Sequence, residues 1–87
     1  MMTTQVRVQQ GSQPRFADVR VGIMRTAERD GRAVAQLAVR SPRRQEILVV
    51  DVGDEVELHG AGTLRVLAIT APTEGRGEVE LAFEPAG

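Results

Sequence analysis

Apolar residues fall on every second position through most of this chain, and that spacing restricts what it can fold into. Val6 and Val8 alternate with Gln5, Arg7 and Gln9. Val19, Val21 and Ile23 alternate with Asp18, Arg20 and Gly22. Ala33, Ala35, Leu37 and Val39 repeat the pattern, as do Val79, Leu81 and Phe83 against Glu78, Glu80 and Glu84. Period two places alternate side chains on opposite faces of an extended strand, so one face is buried and the other wet. Alternation outweighs helical spacing along the chain, so no helix longer than about two turns is expected. Turn-forming clusters divide the strands: Gly11-Ser12-Gln13-Pro14, Asp30-Gly31, Ser41 to Gln45, Gly53-Asp54, Gly60-Ala61-Gly62 and Pro72 to Gly77. Asp30-Gly31 has the positive-φ tolerance that a two-residue hairpin turn requires.

The expected fold is all-β: an antiparallel sandwich or barrel of six to seven short strands. Phe16 is out of phase with Val19, which suggests a bulge near Ala17-Asp18. Glu46 to Val52 is apolar enough to be a central strand buried on both faces. Gln5 to Gln9 is the candidate edge, since it is short and lacks the Lys or Pro that blocks pairing.

At an offset of 44 residues Asp30-Gly31-Arg32 aligns with Glu74-Gly75-Arg76, and Ala35, Leu37 and Val39 align with Val79, Leu81 and Phe83. The same offset sets Val6 and Val8 on Val50 and Val52, and a one-residue shift sets Val19 and Val21 on Leu64 and Val66. Two readings follow. One is a duplicated three-strand unit giving a pseudo-two-fold barrel. The other is the chance agreement that any two alternating strands show at some offset.

The 87 residues make one domain, residues 1–87, with residues 4–84 as its ordered part. The expected core is Val19, Val21, Ile23, Leu37, Val39, Leu48, Val50, Leu64, Val66, Leu81 and Phe83. With only Phe16 and Phe83 as aromatics, such a core lacks large anchors, and self-association would extend it. Absence of Cys removes disulfides, thiolate metal sites and thiol catalysis. Absence of Lys removes Schiff-base chemistry and the lysine of a phosphate-binding loop. Formal net charge is −1, with acids and bases mixed along the chain, so no domain-wide field recruits nucleic acid or an anionic membrane. No apolar run is longer than Ile47 to Val50, which is far below spanning length, and the expected location is cytoplasmic.

Three groups could carry chemistry. His59 is the only histidine and has no Cys or second His beside it, so it reads as an exposed strand-end residue. Asp51, Asp54, Glu55 and Glu57 could offer oxygen ligands to Ca²⁺, but their spacing is not that of an EF-hand loop; they read as a solvated strand face. Arg40, Arg43 and Arg44, around Pro42, form the basic cluster and are the candidate contact for an anion or a partner. No catalytic residues, no cofactor-binding residues and no metal ligands are expected, and the chain reads as a non-enzyme.

Val52-Gly53-Asp54-Glu55-Val56-Glu57-Leu58, a Gly turn and Thr63-Leu64-Arg65-Val66 resemble the second half of small uncharacterised β-domain proteins of actinobacteria. The resemblance covers most of the chain and implies a fold without an activity. Leu64 stands where that pattern has an aromatic before the arginine. Gly53-Asp54-Glu55-Val56, with Val66-Leu67 and with Leu81, Glu84 and Pro85, is also similar to the carbon-storage regulators, small RNA-binding β dimers. Those carry a C-terminal helix and basic RNA contacts, whereas Glu78, Glu80 and Glu84 occupy the last strand here. The functional expectation is a non-enzymatic β module acting by protein–protein interaction or by self-association, as a homodimer or larger assembly. The alternatives are a small-molecule or anion-binding β-barrel and a weak RNA-binding protein, with RNA disfavoured by the lack of stacking aromatics.

Overall fold

The computed structural model describes residues 3–86. Eight strands follow one another: β1 (Thr4–Gln9), β2 (Arg15–Phe16), β3 (Val19–Arg29), β4 (Arg32–Ser41), β5 (Arg44–Asp51), β6 (Glu55–Glu57), β7 (Gly62–Thr70) and β8 (Glu78–Pro85). They form two antiparallel four-stranded sheets, in the orders β1-β8-β7-β6 and β2-β3-β4-β5. The apolar face of each sheet meets the other in one core, which includes Ile23, Leu37, Leu64, Val66, Leu81 and Phe83. Phe16 and Phe83 are stacked at a tilt, with ring centroids 5.0 Å apart.

The strand count exceeds the expected six to seven because Arg15–Phe16 is a strand of two residues. Phe16 pairs with Val19 across a turn in which Ala17 has φ 57°, so a tight turn, not a bulge, changes the phase there. The bulges lie at Met24 and Leu67 instead, where the register jumps between Ile23 and Arg25 and between Val66 and Ala68. The second jump turns Ala68 outward and leaves Ile69 packed on the core, against the plain alternation of Leu64, Val66 and Ala68. The stretch expected to be central, Glu46 to Val52, forms the edge strand β5, and Ile47 and Val49 are exposed. Its apolar run reflects an uncovered outer face. β1 lies at the edge of its sheet, as its composition suggested. Leu48 is half-buried against the core rather than sealed within it.

The repeat is structural. Gly11 and Gly53 both have φ 94°, and their amides donate to the Ile23 and Val66 carbonyls at 2.8 Å each. Ile23 and Val66 amides donate back to the Ser12 and Asp54 carbonyls, at 3.0 Å each. Leu37 pairs with Ile23 as Leu81 pairs with Val66. β1 pairs with β8 through Val6↔Leu81 and Val8↔Val79, and β5 pairs with β4 through Leu48↔Leu37 and Val50↔Ala35. A pseudo-two-fold axis therefore relates β1–β4 to β5–β8. The equivalences correct two alignments: Val6 and Val8 match Leu48 and Val50, while Val21 and Ile23 match Leu64 and Val66. The offset slides between 42 and 44 because the connecting turns differ in length.

Leu37 and Leu81 are both fully buried at equivalent positions. Leu37→Ala and Leu81→Ala should each cost about 2–5 kcal/mol, the transfer energy plus that of the residual cavity. Denaturant titration measures both. A cost at either site within the surface range, about 0.5 kcal/mol, contradicts the register.

Candidate functional site

The basic cluster read from the sequence is divided by the fold. Pro42 and Arg43 form the tight turn between β4 and β5, with Ser41 paired to Arg44. Arg44 bonds Glu46 at 3.2 Å and lines, with Arg43, a concavity beside His59 and Gly60. Arg40 lies opposite Gln45 on the outer face of β2–β5. Its neighbours there come from distant sequence: Arg40 is opposite Arg20, and Arg20 is opposite Arg15. Three guanidinium groups thus occupy one cross-strand row.

Like charges directly opposite one another destabilise a sheet. None of Arg15, Arg20 and Arg40 has an ion-pair partner among the described residues. Beside the row the sheet has a hollow of about 240 Å³. Gly22 and Ala38, which pair across β3 and β4, are its small-residue floor. Arg20, Arg40, Gln13 and Met24 line its walls. Gly22 adds no side chain to this floor, although a Cβ there would make only an ordinary contact, 3.4 Å from Gln13 Cγ. Met24, Ile47 and Val49 are 44%, 53% and 53% exposed, so the surface next to the arginines is apolar.

Charge is sorted between the two outer faces. β2–β5 turn Arg15, Arg20, Arg25 and Arg40 outward, and the acid among them, Asp51, bonds Arg32 at 3.3 Å. The other sheet turns out Glu55, Glu57, Glu78, Glu80 and Glu84. Arg7 and Arg65 there are bonded to Glu78 at 3.4 Å and Glu55 at 3.3 Å. The mixing of charge along the chain hides this segregation.

His59 is not the exposed strand-end residue its sequence context suggested. Its side chain is 5% exposed. Nε2 lies 2.8 Å from Glu46 Oε1, and Nδ1 lies 2.8 Å from Ser41 Oγ. With Nε2–H donating to the carboxylate, Nδ1 accepts the Ser41 hydroxyl. Hydroxyl, imidazole and carboxylate occur in that order in nucleophilic sites. Here the ring is sealed and Glu46 is shared with Arg44, so the three side chains act as a clasp between the β6–β7 turn and the β4–β5 hairpin. Ala17, with φ 57° against 50° for His59, stands at the equivalent turn of the first half, so this backbone conformation does not itself require histidine. Asp51, Asp54 and Glu57 are engaged in turns: Asp54 Oδ2 accepts the Asp51 amide at 2.8 Å, Asp51 Oδ1 the Val52 amide at 2.9 Å, and Glu57 the Gly60 amide. No group of three His, Asp or Glu suited to a metal ion occurs among the described residues.

Compared with protein-family models, curated proteins and solved structures, the chain matches none.

His59→Ala should cost about 1–3 kcal/mol in chemical unfolding, because it removes both hydrogen bonds of the clasp and a nearly buried ring. Glu46→Gln keeps an acceptor for the Nε2 proton and should cost less. The reverse order contradicts the clasp.

Proposed function

We propose that the protein is a non-enzymatic binding module that recognises a carboxylate-bearing protein surface with the outer face of β2–β5. One observation carries this reading: Arg15, Arg20 and Arg40 are aligned, with no ion-pair partner among the described residues, beside a hollow and an exposed apolar patch. Fixed like charges of this kind are relieved when an anion arrives, and guanidinium forks suit carboxylates bidentately. Met24, Ile47 and Val49 supply apolar area that a free ion would not use. Recognition falls on the outside of the sheet, since the space between the sheets is filled by core side chains. The basic face also fits phosphate, but Phe16 and Phe83 are buried and no Tyr or Trp offers a base a stacking platform.

The probe is a fluorescent polyglutamate peptide followed by anisotropy at low salt. It should bind the native protein, and Arg20→Glu with Arg40→Glu should weaken binding by about tenfold or more. Arg43→Glu, outside the row, should change it little. Equal loss from Arg43→Glu, or tighter binding of a single-stranded oligonucleotide of matched charge, overturns the reading.

A further inference from the structure

The internal repeat provides a comparison within one molecule. Arg15, Arg20 and Arg40 on β2, β3 and β4 are equivalent to Glu57, Thr63 and Glu84 at the end of β6 and on β7 and β8. Glu57 lies opposite Thr63, and Thr63 opposite Glu84, just as Arg15 lies opposite Arg20 and Arg20 opposite Arg40. The hollow is repeated too. Its counterpart, again about 240 Å³, is lined by Thr63, Arg65, Leu67, Ala82 and Glu84. The same backbone scaffold thus holds a basic row on one outer face and an acidic row on the other. Glu57, Glu80 and Glu84 have no ion-pair partner among the described residues. The faces belong to different sheets with the core between them, so one molecule cannot bring them together.

We infer that the carboxylate-bearing surface recognised by the basic face is the acidic outer face of a second copy of this chain. The inference rests on the binding role proposed for Arg15, Arg20 and Arg40. Two unlike patches meet, so the contact is head-to-tail. Each added copy leaves one basic and one acidic face free, and mass rises with concentration instead of stopping at two. This differs from the closed dimer that pairing of edge strands would give. Exposed ion pairs are individually weak, so several act together with Met24, Ile47 and Val49 on one side and Leu67 on the other. Salt dissolves the contact, because the screening length falls from about 30 Å at 0.01 M to about 3 Å at 1 M.

The test is sedimentation velocity on the full chain, across concentration, at about 0.01 M and about 1 M salt. At low salt the weight-average mass should rise with concentration; at high salt it should return to the monomer. Arg20→Glu with Arg40→Glu makes both faces acidic, and Glu57→Arg with Glu84→Arg makes both basic. Each variant alone should stay monomeric, and an equal mixture should sediment faster than either. Circular dichroism confirms that both fold, and Arg40→Gln with Glu84→Gln replace them if either does not, each then weakening association by about tenfold or more. Native protein that stays monomeric at low salt yet binds polyglutamate overturns the second copy as partner while leaving the binding face intact. Failure of both overturns both. Association that survives 1 M salt, or variants that associate alone but not together, also contradicts the head-to-tail contact.

Discussion

The pairing of each half's first strand with the other half's last strand is the contact on which this structure depends. β1 reaches across to β8 and β5 folds back on β4, in matched registers that place Val6 and Val8 beside Leu81 and Val79, and Leu48 and Val50 beside Leu37 and Ala35. Neither half alone would cover its own apolar strand face. A chain of 87 residues with two aromatic side chains has little apolar area to spare, and exchanging strands commits both halves to one core. The bulges at Met24 and Leu67 complete the arrangement. Each frees a carbonyl, at Ile23 or Val66, for the Gly11 or Gly53 amide that ends the exchanged strand.

Equivalence inside imposes no equivalence outside. The inward positions must fit a shared core, and they stay apolar in both halves: Val39 with Phe83, Leu37 with Leu81, Ala35 with Val79. Outward positions are free of that demand, and there the halves diverge into opposite charge, as at Arg40 and Glu84. A row of three arginines on adjacent strands works against sheet stability. The other half has Glu and Thr at these positions on the same framework, so the fold does not require the arginines. At His59, whose counterpart is Ala17, the difference is instead structural, since the imidazole ties its turn to Ser41 and Glu46.

Much of the fold was legible because alternation reports one buried face directly. The period-two sets around Val19, Leu37 and Leu81 located most of the core, and Asp30-Gly31 located its hairpin, with φ of 53° and 79° at the two residues. Alternation does not report what covers the other face, so β5, apolar on both sides, was taken for a central strand. Single-residue bulges also leave no mark in composition, so the alternation of Leu64 and Val66 does not show that Ala68 turns outward and Ile69 inward. The arginine row was mostly illegible. Arg40, Arg43 and Arg44 are near one another in sequence but strand parity and a tight turn send them to different surfaces. Arg15 and Arg20 join Arg40 only through the β2–β3–β4 register. The clasp of His59 with Ser41 and Glu46 was hidden for the same reason, since it joins opposite sheets.

If outer-face charge drives recognition, the residues that respond to association must lie on sheet faces and not along strand edges. Amide chemical shifts of the full chain, recorded in dilute and concentrated solution at low ionic strength, separate these directly. Charge-driven recognition predicts changes centred on Arg15, Arg20 and Arg40 and, in equal measure, on Glu57, Thr63 and Glu84, all reversed by salt. Changes confined to the edge strands, Thr4–Gln9 or Arg44–Asp51, would contradict it.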